Sequence, residues 1–125
     1  MRAVSEYASY VRQSCASGAD AIVVGAGLPL DLPELVRDHP DVALIPILSD
    51  ARGIALVVKK WARKGRLPDA IGIEHPKHAG GHLGAARVED LGDPRFDFER
   101  VVPEALAFFK AEGIATEQIP LVCAG

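Results

Sequence analysis

Three histidines, one carboxylate and three glycines fall within Glu74-His75-Pro76-Lys77-His78-Ala79-Gly80-Gly81-His82-Leu83-Gly84. This stretch follows Ala70-Ile71-Gly72-Ile73, a short apolar run that reads as a buried strand. A titratable, glycine-rich segment therefore starts where a strand runs out into a loop. In α/β proteins ligands bind outside the carboxyl ends of the strands, where loops and helix N-termini converge. Glycines let backbone approach a flat or anionic ligand without interference from Cβ. Histidine is the side chain whose charge moves most easily near neutral pH. His82, at the end of the Gly80-Gly81 pair, is the candidate catalyst, a base that takes a proton within hydrogen-bond reach.

The same cluster invites a metal reading through His75, His78, His82 and Glu74. Pro76 and the glycine pair forbid the continuous helix that would put them on one face, and Lys77 adds opposing charge. No zinc-type spacing results, so no metal is expected. Gly25-Ala26-Gly27 follows another apolar run, but Leu30 stands where the dinucleotide fingerprint needs its third glycine. No phosphate-binding Gly-Lys-Ser/Thr sequence occurs. Lys59, Lys60, Arg63, Lys64 and Arg66 form a basic run around Trp61. Their place at a helix C-terminus, favoured by the helix dipole, marks a solvated face rather than an anion site.

The elements that must position these residues alternate along the chain. A helix is predicted from after Ser5 to before Gly18, then a strand at Ala21-Ile22-Val23-Val24. A short helix starts at Asp31-Leu32-Pro33-Glu34 with a capping acid and a first-turn proline, and ends near His39-Pro40. The next strand, Val42 to Ile47, is apolar throughout, as in a parallel sheet buried on both faces, with Pro46 near its end. Asp50 caps a helix in which Ile54, Val57, Val58 and Trp61 form one stripe, and Gly65 stops it. After the histidine segment and a polar connection from Arg87 to Arg95, Asp97 caps a helix carrying Phe98, Val101, Val102, Ala105, Leu106 and Phe109. Pro103 should bend that helix or shift its start. Ile119 to Cys123 is a last strand.

The prediction is an α/β fold: about four parallel strands alternating with helices, a partial (β/α)8 TIM barrel, with residues 1–125 as one piece of it. The chain opens in a helix and closes on a strand whose following loop is missing. Unpaired edges of that kind predict self-association or pairing with a complementing barrel half.

Bulk properties narrow the function classes. A length of 125 residues allows one domain with a real core. A formal net charge of -3 gives no electrostatic case for nucleic acid or an anionic membrane. No secretory signal is present at the N-terminus, which makes the cytoplasm the expected compartment. Cys15 and Cys123 are read as buried small hydrophobes rather than a disulfide.

Ala21 to Pro29, Ile45-Pro46-Ile47-Leu48-Ser49, Glu74 with Ala79-Gly80-Gly81-His82-Leu83-Gly84, and Ile119 to Gly125 together resemble successive strand ends of the nitronate monooxygenases, also called the 2-nitropropane dioxygenase-like family. The resemblance covers essentially the whole chain. It implies the middle of an FMN-containing barrel, roughly its fourth to seventh strands, against about 250 residues for a whole one. The implied reaction oxidises a nitronate or nitroalkane with dioxygen to a carbonyl compound and nitrite. Reduced nicotinamide is not consumed.

On that resemblance His82 takes the proton beside the nitro group or steadies the nitronate. Ser49, Glu74, Ala79, Gly80, Gly81 and Gly125 surround FMN, and Gly25 and Gly27 shape the floor of the flavin and substrate pocket. The family's first strands would precede Met1, and its FMN-phosphate glycines would begin at Gly125 and continue beyond it. His75-Pro76-Lys77-His78 replaces a shorter acidic-glycine lead. Flavin-dependent enoyl-acyl-carrier-protein reductases carry a similar Ala-Gly-Gly-His element, so an enoyl reductase is the alternative, and a non-catalytic truncated chain is a third reading.

Overall fold

Four short strands form one parallel sheet in a computed structural model of the chain, which describes residues 6–25, 27–78 and 92–124. The elements run α1 (Tyr7–Ala16), β1 (Ala21–Val24), α2 (Leu32–Leu35), β2 (Ala43–Leu48), α3 (Ala51–Ala62), β3 (Ile71–Glu74), α4 (Phe98–Ala111) and β4 (Leu121–Ala124). Single 3-10 turns occupy Pro76–His78 and Pro94–Phe96. The order across the sheet is β1-β2-β3-β4, each strand parallel to the next.

That monotonic order has a physical consequence. Parallel crossovers are right-handed in nearly all proteins. Strands laid down successively in one direction therefore receive their helices on one face only. The side chains agree. Ile22, Val24, Leu44, Leu48, Ile71 and Ile73 join a single core with Tyr7, Val11, Cys15, Leu32, Ile54, Val57, Trp61, Val101 and Phe109 from the helices. The alternate positions, Ala21 and Val23 on β1, Ile45 and Ile47 on β2, Gly72 on β3 and Val122 on β4, belong to the other face and are exposed or half-buried. Val23 and Val122 are each 53% exposed. The expectation of a sheet buried on both faces is corrected here: one face is covered. The apolar character of the second face hid this, because a strand apolar on both sides reads as doubly buried whether or not anything covers it.

Pro46 lies inside β2 rather than near its end. Leu44, two residues before it, directs its backbone towards the β3 side, where its N–H donates to Asp69 Oδ2 (2.8 Å) and its carbonyl accepts from Asp69 N (2.9 Å). Pro46 shares that parity, and the ladder with β3 begins only at Ile47. The missing donor thus falls outside the ladder.

α3 follows its sequence signals. Asp50 Oδ1 accepts from Gly53 N (2.8 Å), and Gly65 just beyond the helix has φ +78°. Trp61, fully buried, donates from Nε1 to the Pro29 carbonyl (2.9 Å), bolting the loop after β1 to α3. α2 is a single turn that stops at Leu35, short of the predicted end near His39. α4 starts at Phe98 with Pro103 inside it, so the proline does not shift the start. The basic run is not simply solvated. Lys64 donates to the Leu30 carbonyl (2.9 Å) and pairs with Glu34 (2.8 Å), while Arg66 donates to the Val42 carbonyl (2.6 Å) and to Asp69 (3.2 Å). Cys15 is buried as expected. Cys123 is exposed, because its position on β4 faces the helical side where nothing described covers it.

Candidate functional site

Register places the carboxyl ends of all four strands along one rim. Val24 lies opposite Pro46, Leu48 opposite Ile73 and Glu74 opposite Ala124. Gly25 and Gly27 leave β1 there, Ser49 leaves β2, and Glu74 is the last residue of β3. The topology thus brings Gly25, Gly27, Ser49 and Glu74 to a common edge. Residues 79–91 connect the rim at β3 to the start of α4. Ala79, Gly80, Gly81 and His82, with Gly125, lie outside the described residues.

Each rim residue has a definable setting. Gly27 takes φ +132°, a conformation only glycine adopts comfortably. Ser49 forms no side-chain hydrogen bond among the described residues, since the α3 cap is made by Asp50 alone. Its hydroxyl is left for a ligand or for water. Glu74 alternates onto the open face of the sheet, and its Oε2 is shut off from solvent. Next to it on that face, Ile47 leans over Gly72: a Cβ on Gly72 would stand 3.2 Å from Ile47 Cγ1.

His75 proves to be an anchor, which sequence reasoning missed. Lys77 N donates to its Nδ1 (3.2 Å), so the ring proton sits on Nε2, which donates to Asp97 Oδ1 at 3.0 Å. The ring also meets Phe96 and Phe98 edge-on, with centroids 6.5 and 6.4 Å away. With both nitrogens engaged, His75 is not available as a metal ligand. Among the described residues no group of three His, Cys, Asp or Glu side chains is arranged to hold a metal ion. Asp97, read as a helix cap, makes no side-chain cap bond because its carboxylate is turned to His75. The only advance signal was a histidine just past a strand and an acid just before a helix.

The rim carries both signs of charge: Asp31, Asp50 and Asp97 occupy the N-cap positions of α2, α3 and α4 and Glu74 tips β3, while Arg52, Lys77 and Arg95 stand in the same stretches. The fit to FMN therefore differs between its two ends. Glycine backbone at 25 and 27 and the Ser49 hydroxyl suit an uncharged, hydrogen-bonding ring system. A phosphate dianion meets a carboxylate at the start of each of these helices, although only Asp50 closes its helix with a side-chain cap bond.

No family model and no curated protein sequence matches this chain. Among the described residues, no helix is long and apolar enough to cross a membrane.

Proposed function

We propose that the chain forms four βα units of a (β/α)8 barrel that carries FMN and oxidises alkyl nitronates or nitroalkanes with dioxygen, releasing a carbonyl compound and nitrite. The observation that supports this reading most is the shared rim. Gly25, Gly27, Ser49 and Glu74 stand at the carboxyl ends of a one-sided parallel sheet, and Ala79-Gly80-Gly81-His82 follow His78 in the sequence.

FMN, when bound, supplies the acceptor for the electrons of the nitronate. Ser49 and the backbone around Gly25, Gly27, Gly80 and Gly81 would hold its ring end, and Glu74 would order the approach to the histidine segment. His82 would take the proton from the carbon beside the nitro group through its imidazole, which a base with a near-neutral pKa does efficiently. Removing that proton converts a neutral nitroalkane into the anionic nitronate. Carboxylates and basic side chains mix along the described rim, and no residue there is assigned to the phosphate of FMN.

The test is oxygen uptake and nitrite release from a neutral nitroalkane at saturating added FMN. Turnover that falls in His82→Asn supports the reading. NAD(P)H oxidation dependent on an enoyl thioester would instead favour the reductase alternative. FMN binding without turnover of either substrate would overturn both.

A further inference from the structure

Two turns of the same build meet at the carboxyl end of β3. His75-Pro76-Lys77-His78 and Asp93-Pro94-Arg95-Phe96 each place a proline first in a 3-10 turn. In each, the amide of the fourth residue donates to the carbonyl of the first: His78 N to His75 O at 2.9 Å, Phe96 N to Asp93 O at 3.1 Å. Proline has no N–H, so the amide after it is the first donor of the turn that needs an acceptor. Asp93 Oδ1 accepts from Arg95 N at 2.9 Å, and His75 Nδ1 accepts from Lys77 N at 3.2 Å. Side chains that cap in this way are ordinarily Ser, Thr, Asp or Asn. At position 75 the cap is an imidazole.

The two caps differ in what acid does to them. A carboxylate remains an acceptor from neutral pH down to about pH 4. An imidazole accepts at one nitrogen only while it is neutral, and both nitrogens are donors once it is charged. Histidine is the side chain that makes this change between about pH 5 and 8.

We infer that His75 is a pH-sensitive cap, whose protonation releases the Lys77 amide and loosens the turn Pro76–His78 while the bond to Asp97 is kept. Nε2 carries a proton in both states, so it donates to Asp97 Oδ1 at 3.0 Å before and after. The added charge favours that contact, although Asp97 is half-exposed and solvent screens the pair. Nδ1 has no such continuity. A proton there faces the Lys77 N–H, donor against donor.

The charges around the ring act in the same sense. Its own turn brings Lys77 and the His78 ring, whose centroid is 5.6 Å away, and Glu74 precedes it on β3. The elements packed against it through Phe96 and Phe98 bring Asp93 and Arg95, paired with each other at 3.8 Å, then Asp97 and Glu99. Lys77 and a charged His78 put like charge on the turn itself. The carboxylate that favours the new charge stands at Nε2, away from the amide that loses its acceptor. In acid β3 and α4 thus stay tied, while Lys77 and His78 are freed from a fixed turn. The device does not depend on FMN or on nitronate chemistry.

The experiment is an NMR titration of the isotope-labelled chain from about pH 8 to about pH 5, following the ring nitrogens of His75 and the amides of Lys77 and Arg95. At the alkaline end the ring proton should sit on Nε2. As the ring is protonated the Lys77 amide should shift with the same midpoint. Its protection against solvent exchange should fall about fivefold, the scale of one ordinary hydrogen bond. The Arg95 amide, capped by a carboxylate, should keep its protection in the same sample. His75→Asn puts a non-titrating acceptor at the cap and should abolish the Lys77 response, whereas His78→Gln should preserve it. A neutral His75 with its proton on Nδ1 overturns the proposal, as does a Lys77 amide that is unmoved while His75 titrates. So does a response that survives His75→Asn or disappears in His78→Gln. If His75→Asn fails to fold, the wild-type titration and His78→Gln still decide the outcome.

Discussion

His75 donates from Nε2 to Asp97 Oδ1 at 3.0 Å across 22 residues of sequence, and the two residues flank the segment that carries His82. The strand end and the helix start are thereby tied together at the rim, with the His75 ring wedged against Phe96 and Phe98. The bond is half screened, as Asp97 is 51% exposed whereas His75 is 14%. His75→Phe keeps a ring and removes both polar contacts. It should cost about 1 kcal/mol, less than a buried charged hydrogen bond. His75→Ala also loses the aromatic packing and should cost about 2 kcal/mol. Urea unfolding measures both, and equal losses would show that the ring does nothing beyond its hydrogen bonds.

The second prediction concerns acid. Lys64, hydrogen-bonded to Glu34 and lending its positive charge, holds the Glu34 carboxyl below its ordinary value of 4.5. A carboxylate depressed in the folded state adds stability that is fully present above the unfolded pKa and is lost as pH falls through the folded one. Wild type and Glu34→Gln should therefore differ most at pH 6 to 7 and converge as pH falls below the unfolded value of 4.5 and through the lowered folded one. Urea midpoints across that range provide the check. A difference that persists unchanged at pH 3 would show that Glu34 acts by packing rather than charge.

Strand positions were legible because Ile22, Leu44 and Ile71 sit in short apolar runs bounded by turn residues, and α3 because Asp50, its stripe and Gly65 agree. One-sidedness was not legible. Val23 and Ile47 are as apolar as the core, and only the strand order shows that they face away from every helix. The carbonyl partners of Trp61, Lys64 and Arg66 lie 24 to 34 residues away. No local pattern encodes such contacts. For the same reason Asp97 read as a cap: its competing partner is distant in sequence. Of the candidate site, Gly25, Gly27, Ser49 and Glu74 can be placed on a common rim, while the residues expected to do the chemistry lie outside the described set.

Flavin retention is the third prediction. Along the rim Asp31, Asp50, Glu74 and Asp97 alternate with Arg52, Lys77 and Arg95, and no described residue is assigned to grip the FMN phosphate. The purified chain should show no stoichiometric flavin absorption, and titrated FMN should bind more weakly than about micromolar, an affinity that corresponds to about 8 kcal/mol. Riboflavin, which lacks the phosphate, should bind about as well as FMN. A yellow preparation, or FMN binding far more tightly than riboflavin, would place a phosphate grip in residues 79–91 or 125.

The last prediction separates proton abstraction from electron transfer. His82→Asn keeps much of the size and hydrogen-bonding capacity of the side chain but removes its proton acceptor. With added FMN, turnover of a neutral nitroalkane should fall by about 10²-fold or more, the scale for losing a positioned general base. A nitronate formed beforehand in alkali has already lost that proton, so its oxidation should fall much less. The contrast between the two substrates carries the information, because a damaged loop or a lost cofactor would depress both. Equal losses with FMN still bound would assign His82 to steadying the anion instead, since that interaction serves either substrate. Unchanged turnover of both would leave it a histidine that holds the loop.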